Sequence, residues 1–310
     1  MTHVESVTAG EIADQPECWE RAAAESSRWE GLLPPGERLA VVGCGTSLFM
    51  AQSFAALRER AGQGETDAFP ASEYPDRRYD RVLALTRSGT TTEVCDALAA
   101  VRGSVPTVAI TATGQAPVSR LADRTVLLDF ADERSVVQTR FATSALLLLR
   151  AQLGEPVGPL VAAARRALVE ELPDGAVERE QFTFLGRGWT VGIANEAALK
   201  LREAARVWTE AYPAMEYRHG PISVTDERSL VWALGESPAG LPGEVRAAGG
   251  SWVCSVEDPL AELVRIQRLA VRLAHHRGID PDRPRNLRRS VILSANPPAD
   301  GGASGAGETR

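Results

Sequence analysis

Residues 81–103 read RVLALTRSGTTTEVCDALAAVRG. An apolar run, RVLALT, leads into a turn where five hydroxyl side chains surround one glycine, and a stretch of helical periodicity follows. A strand that enters a helix through such a turn is the repeating unit of a parallel sheet, and open sheets bind ligands at that edge. Glycine lets the backbone approach an anion, while the hydroxyls and the helix N-terminus supply donors. A helix cap would use only one of those hydroxyls together with Glu93. The surplus points to a bound phosphate.

Working outward, residues 39–47, LAVVGCGTS, repeat the arrangement with Gly43, Gly45, Thr46 and Ser47. Alone, that GxG turn fits a plain helix cap equally well. LFMAQSFAALRERAG continues as a helix, PTVAIT (106–111) and TVLLDF (125–130) read as strands, and a long helix is expected from about 135 to 153. Residues 10–31 form a helical lead-in. After GEPVGPL (154–160) and a helix over 161–171, the pattern restarts. QFTFLGRGWT (181–190) is a strand with a glycine turn, followed by one long helix over 195–211, NEAALKLREAARVWTEA. LVWAL and SWVCSV supply strands near 230 and 252, a helix covers 259–277, and SVIL (290–293) reads as a last strand.

This alternation predicts an α/β protein with two tandem units, each a parallel sheet flanked by helices in three layers. The expected boundaries are a lead-in at 1–34, a first domain at 35–165, a second at 166–294 and a disordered tail at 295–310. That tail is rich in Gly, Pro and Ala.

Composition narrows the function. The 310 residues are 44% hydrophobic and carry a formal net charge of −7, which argues against nucleic acid held on a basic face. No run of about 18 apolar residues occurs, and the N-terminus lacks the regions of a signal peptide, so a cytoplasmic protein without membrane contact is expected. Cys18, Cys44, Cys95 and Cys254 are scattered and read as reduced thiols, with no metal site and no cofactor expected.

The 34 basic residues are 33 Arg and one Lys, Lys200. An ammonium can be tuned to give up its proton, which a guanidinium cannot. Glu196, Lys200 and Glu203 fall at i, i+4 and i+7 and share one helix face. Glu196 and Lys200 would also suit an ordinary surface pair. The neighbouring Ala197, Ala198, Leu199, Ala204 and Ala205 instead suggest close packing, where charges need partners. His219 precedes a rigid Gly-Pro turn, whereas His275 and His276 read as structural or solvated and His3 is terminal.

The segments VVGCGTS, TRSGTTTE, ERSVVQTRFATS, FLGRG, NEAALKLREA, EAYPAMEYRHGP and DPDRPRNLRRSV occur in an order and spacing that resemble one family. It is the phosphosugar isomerases, deaminases and deglycases with two sugar-isomerase (SIS) domains, including the isomerase half of glucosamine-6-phosphate synthase. The resemblance covers about residues 10–293 and implies two tandem SIS domains of flavodoxin-like three-layer form.

It implies phosphate binding by Ser47, Ser88 and Thr91, with Thr46 and Thr86 beside them. Cys44, Arg87, Val136, Gln138 and Arg289 fall at further substrate positions. Glu203 matches the base that moves a proton between C1 and C2, Lys200 a lysine that assists ring opening, and His219 the ring-opening histidine. In relatives that histidine comes from the neighbouring subunit, so a homodimer is implied.

Three departures stand out. The sequence starts at the helix before the first sugar domain, so glutamine-dependent synthesis is not expected. Arg289 stands where the synthase has an imine-forming lysine, and Gln138 where it has a serine. The expected function is aldose–ketose isomerisation or deamination of a hexose 6-phosphate, with an amino sugar such as glucosamine 6-phosphate foremost. Deglycation of fructosamine 6-phosphate and a non-catalytic sugar-phosphate sensor are the alternatives.

Overall fold

The computed structural model describes residues 6–293. The lead-in is two helices, α1 (Val7–Ala13) and α2 (Gln15–Glu25), the second with Pro16 in its first turn, where a missing N–H costs nothing. The first unit follows as β1 (Leu39–Gly43), α3 (Thr46–Arg60), β2 (Thr66–Pro70), β3 (Arg81–Leu85), α4 (Thr92–Val101), β4 (Thr107–Thr111), α5 (Val118–Leu121), β5 (Arg124–Leu127) and α6 (Arg140–Gln152). Helix α7 (Val157–Val169) leads to the second unit: β6 (Gln181–Gly186), α8 (Thr190–Ala205), β7 (Thr209–Pro213), β8 (Ser229–Leu234), α9 (Leu241–Ala247), β9 (Ser251–Cys254) and α10 (Pro259–His276).

All strand pairs are parallel, in the orders β2-β1-β3-β4-β5 and β7-β6-β8-β9. The first is the flavodoxin-like order. The second repeats its first four places. The edge strands β2 and β7 were not anticipated, yet they carry one repeated sequence, TDAFPASEY (66–74) and TEAYPAMEY (209–217). Register repeats as well, since Pro70 pairs with Gly43 and Pro213 with Gly186. Proline is tolerated because each strand lies at a sheet edge.

One apolar core joins the two units on their facing sides, drawing Trp19, Phe54, Leu146, Phe182, Ile193 and Leu263 from both. Separate clusters cover the outer sheet faces, around Val42 and Leu98 in the first unit and Val231 and Tyr217 in the second. Helices α3 and α8 meet at Gly192, where an added Cβ would lie 2.4 Å from the Phe49 carbonyl and Ser53 Oγ. That approach brings the start of α3 to the middle of α8. Arg150 of α6 also crosses between units, donating to both oxygens of Asp258 at 2.8 Å, while Asp258 caps α10 through the Leu260 N–H.

Several expected elements change. The helix expected from about 135 begins at Arg140, because Glu133 folds residues 133–139 into a loop by accepting from Thr139 Oγ1 (2.8 Å) and the Arg140 N–H (2.9 Å). The helix expected over 161–171 is α7, so the expected boundary at 165 falls inside it. The helix expected to reach 211 stops at Ala205, where Arg206 takes a left-handed φ of 54°, and Thr209–Pro213 pairs with β6. Residues 290–293 are not a strand. They form an extended strap that bonds to the start of α4 through Thr92. His3 and the tail expected at 295–310 lie outside the described residues.

Candidate functional site

The turn between β3 and α4 needs glycine at 89. Its φ is +63°, and a Cβ there would come within 2.4 Å of the Ala116 Cβ. Thr86 Oγ1 accepts from the Gly89 N–H (3.3 Å), and Ser88 Oγ accepts from the Thr90 N–H (3.2 Å), so these hydroxyls shape the loop. The β1–α3 turn lies beside it. Together they enclose an almost wholly polar cavity of about 30 Å³ lined by Cys44, Ser47, Thr86, Arg87, Ser88, Thr91, Gln138 and Arg289, with Leu85 and Val94. Eight expected substrate residues thus share one cavity. Gln138 Oε1 is buried without a hydrogen-bond partner, and burial, followed by the charge of Glu93, raises the Cys44 pKa, keeping it a thiol.

The remaining expected positions serve that cavity from outside its lining. The Val136 carbonyl accepts from Arg87 Nη2 at 3.1 Å. Thr46 Oγ1 accepts from Lys200 Nζ at 3.0 Å, so adjacent residues of α3 touch the cavity and the buried amine.

On α8 the shared face is an ionic cluster. Lys200 Nζ lies 2.5 Å from Glu203 Oε2 and 3.4 Å from Glu196 Oε1. Lys200 and Glu196 are each 1% exposed, while the Glu203 side chain keeps 18%. A surface pair is therefore excluded. Neither Glu196 oxygen has a directed hydrogen bond, and burial pushes its carboxyl up to about 8 against the opposing pull of Lys200. Burial acts to lower the Lys200 pKa, but Glu196 and Glu203 together outweigh it and raise the value. Lys200 is an ammonium at neutral pH.

His219 is exposed at the end of the 3-10 turn Glu216–His219, and no hydrogen bond or ion pair among the described residues joins it to Glu203. Sequence reading passed over three acids beside the cavity. Glu133 is fully buried against Arg87 (3.3 Å), Glu11 holds the Arg134 N–H (2.6 Å), and Asp132 pairs with Arg289. For Asp132 and Glu133, DFADERSV, which puts acids just past a strand at the sheet's carboxyl edge, was the available signal; nothing local marks Glu11. A larger open cavity, about 670 Å³, lies away from this chemistry between α1, residues 168–178 and α10. Its lining includes Glu171, Asp174, Glu178, Arg268, Arg272 and His275 but no hydroxyl side chain.

Residues 32–152 match the SIS domain family. The chain is 30% identical over 318 residues to the glutamine–fructose-6-phosphate aminotransferase (isomerizing) of Pseudomonas syringae pv. tomato, a match covering 82% of this chain and 51% of that protein. The Pyrococcus horikoshii counterpart is 28% identical over 91% of this chain and 57% of its own length. The chain thus spans about half the length of these curated relatives.

Among solved structures, a glucosamine-6-phosphate deaminase from Thermotoga maritima aligns with a TM-score of 0.78 and 26% identity, over 93% of this chain and 100% of that one. The C-terminal domain of the Francisella tularensis glucosamine-fructose-6-phosphate aminotransferase shares the fold, with a TM-score of 0.79 and 22% identity over 91% of this chain and 99% of that one. The SIS match thus covers residues 32–152, and most of the chain is similar to isomerizing glutamine–fructose-6-phosphate aminotransferases and to a glucosamine-6-phosphate deaminase. Among the described residues, no helix is long and apolar enough to cross a membrane.

Proposed function

We propose that the chain is an aldose–ketose isomerase or deaminase of a hexose 6-phosphate, with glucosamine 6-phosphate as the leading substrate. One observation carries this reading. A polar, hydroxyl-lined cavity sits next to a buried acid–base cluster, with Ser47 in the first and Thr46 bonded to the second. The cavity suits a phosphate, and the cluster suits proton transfer at the other end of the same sugar. The second unit is read as a second SIS domain, supported by the shared strand order and the TDAFPASEY and TEAYPAMEY repeat.

In the proposed reaction, Ser47, Ser88 and Thr91 donate to the phosphate. His219 of a second copy opens the ring, taking the proton of the C1 hydroxyl and passing one to the ring oxygen as the C1–O5 bond breaks, with the Lys200 ammonium assisting. Glu203, the acid of the cluster nearest to solvent, takes the proton from C2 and returns it to C1. For an amino sugar, the resulting C2 imine is hydrolysed, so glucosamine 6-phosphate and water give fructose 6-phosphate and ammonia. Lys200 serves as the charge beside Glu203, not as an imine nucleophile, since its surroundings keep it protonated. The exposed position of His219 suits contribution to the site of a second copy in a homodimer.

The test is turnover on a panel of glucose, fructose, glucosamine and fructosamine 6-phosphates, followed by ammonia release and ketose formation. Glu203→Gln should lower turnover by about 100-fold or more while the protein remains folded. Full turnover by that variant sinks the assignment of the base, and no turnover of any panel member by the parent protein sinks the reaction.

A further inference from the structure

The hydroxyl turns supply most of the lining of the polar cavity, and Arg289, just before the strap at 290–293, completes it. Arg87 anchors that strap. Its guanidinium is buried and both terminal nitrogens are committed, Nη1 to Glu133 (3.3 Å) and the Ser135 carbonyl (3.0 Å), Nη2 to the carbonyls of Val136 (3.1 Å) and Arg289 (2.9 Å), while Nε is left without a partner. Thr90 Oγ1 holds Ser290 Oγ at 3.0 Å, the Thr92 N–H donates to the Val291 carbonyl at 3.2 Å, and the Leu293 N–H donates to Thr92 Oγ1 at 2.9 Å. The main chain is thus held at Arg289 and over the residues that follow it. Its side chain is the part left able to turn.

That side chain lines the cavity and is also paired with Asp132, across an ion pair whose partners are 36% and 42% exposed. Since the two terminal nitrogens of Arg87 are held by the protein's own carbonyls and Glu133, Arg289 is the cation of the cavity whose side chain can move to meet an entering anion. Asp132 holds the same guanidinium. We infer that Asp132 is an internal competitor for the anion: it holds Arg289 in the unliganded protein and surrenders it when a phosphate enters. This rests on the reading of the cavity as a phosphate site.

The exchange is favourable because a half-exposed carboxylate pair is weak, whereas phosphate offers guanidinium two charge-assisted bonds at once. It also selects. A neutral sugar cannot displace Asp132, and a dianion displaces it better than a monoanion. Asp132 and Arg289 together would restrict the cavity to phosphorylated ligands.

The test measures affinity for inorganic phosphate and for glucosamine 6-phosphate by titration calorimetry on the full chain. Asp132→Asn should bind inorganic phosphate about fivefold more tightly, which is about 1 kcal/mol. Arg289→Gln should bind it more weakly. In the Arg289→Gln background, Asp132→Asn should no longer tighten binding. Damage to the fold does not tighten binding, so a gain is diagnostic. Unchanged or weaker binding by Asp132→Asn overturns the inference, as does phosphate binding by neither protein or a gain that survives in the double variant. If the predicted pattern holds for inorganic phosphate while no sugar phosphate is bound or turned over, the competitor stands and the proposed reaction falls.

Discussion

The two parallel sheets share a strand order and an edge-strand sequence, but their strand-to-helix turns are used in opposite ways. In the first sheet, the turns after β1 and β3 present Ser47, Ser88 and Thr91 to a cavity. In the second, the matching turn after β6 closes on itself. Thr190 Oγ1 accepts from the Arg187 N–H at 2.8 Å and donates to the Leu234 carbonyl at 2.8 Å, so nothing is offered outward. The ionic cluster of the second unit lies one step along the chain, on the face of α8. One turn geometry can therefore hold a ligand or close a helix, and which it does depends on whether its hydroxyls are already satisfied.

The division can be broken at its strongest point first. Lys200→Met removes the shared cation and leaves buried Glu196 and part-buried Glu203 beside each other without it. Stability should fall by about 3 kcal/mol or more, read as a drop in melting temperature of at least about 6 °C. A melting temperature matching the parent would mean that α8 does not depend on its ionic cluster.

Glu196 gives the next effect. Its carboxyl rises from 4.5 to about 8 on folding, so between those values the folded state holds a proton that the unfolded state has lost. Stability from this group is complete below 4.5 and declines as pH rises towards about 8. The parent protein should lose about 1–2 kcal/mol across the upper part of that window, and Glu196→Gln should flatten the decline. Parallel melting curves for the two proteins against pH would contradict it.

The smallest effect sharpens the comparison most directly. Thr91→Val should weaken phosphate binding about tenfold with little change in melting temperature, while Thr190→Val should lower stability by about 1 kcal/mol and leave phosphate affinity alone. Identical behaviour of the two variants would erase the distinction between the turns.

Much of this was legible in advance. Apolar runs such as LAVVG and TVAIT are buried on both faces and announce themselves by composition alone. The hydroxyl turns were visible because they carry more donors than a cap requires. The edge strands were not, since Thr66–Pro70 and Thr209–Pro213 are short, half exposed and end in proline, and only their mutual likeness marks them. The strap at 290–293 read as a strand because Val, Ile and Leu satisfy that pattern, and nothing local shows that its partner is a helix start rather than a sheet. The burial of Glu196 was equally hidden. An i, i+4 acid–lysine pair looks the same on a surface as in a core, and Gly192, which brings α3 against it, lies a full turn earlier.

The lone lysine has an analytical consequence. With a single side-chain amine in 310 residues, and that amine 1% exposed beneath Thr46, amine-directed labelling has one internal address. The address is reached when α3 and α8 separate. The rate at which Lys200 takes up such a label is therefore a clock for that separation, readable by mass without altering a residue, and a ligand that draws the two helices together should slow it.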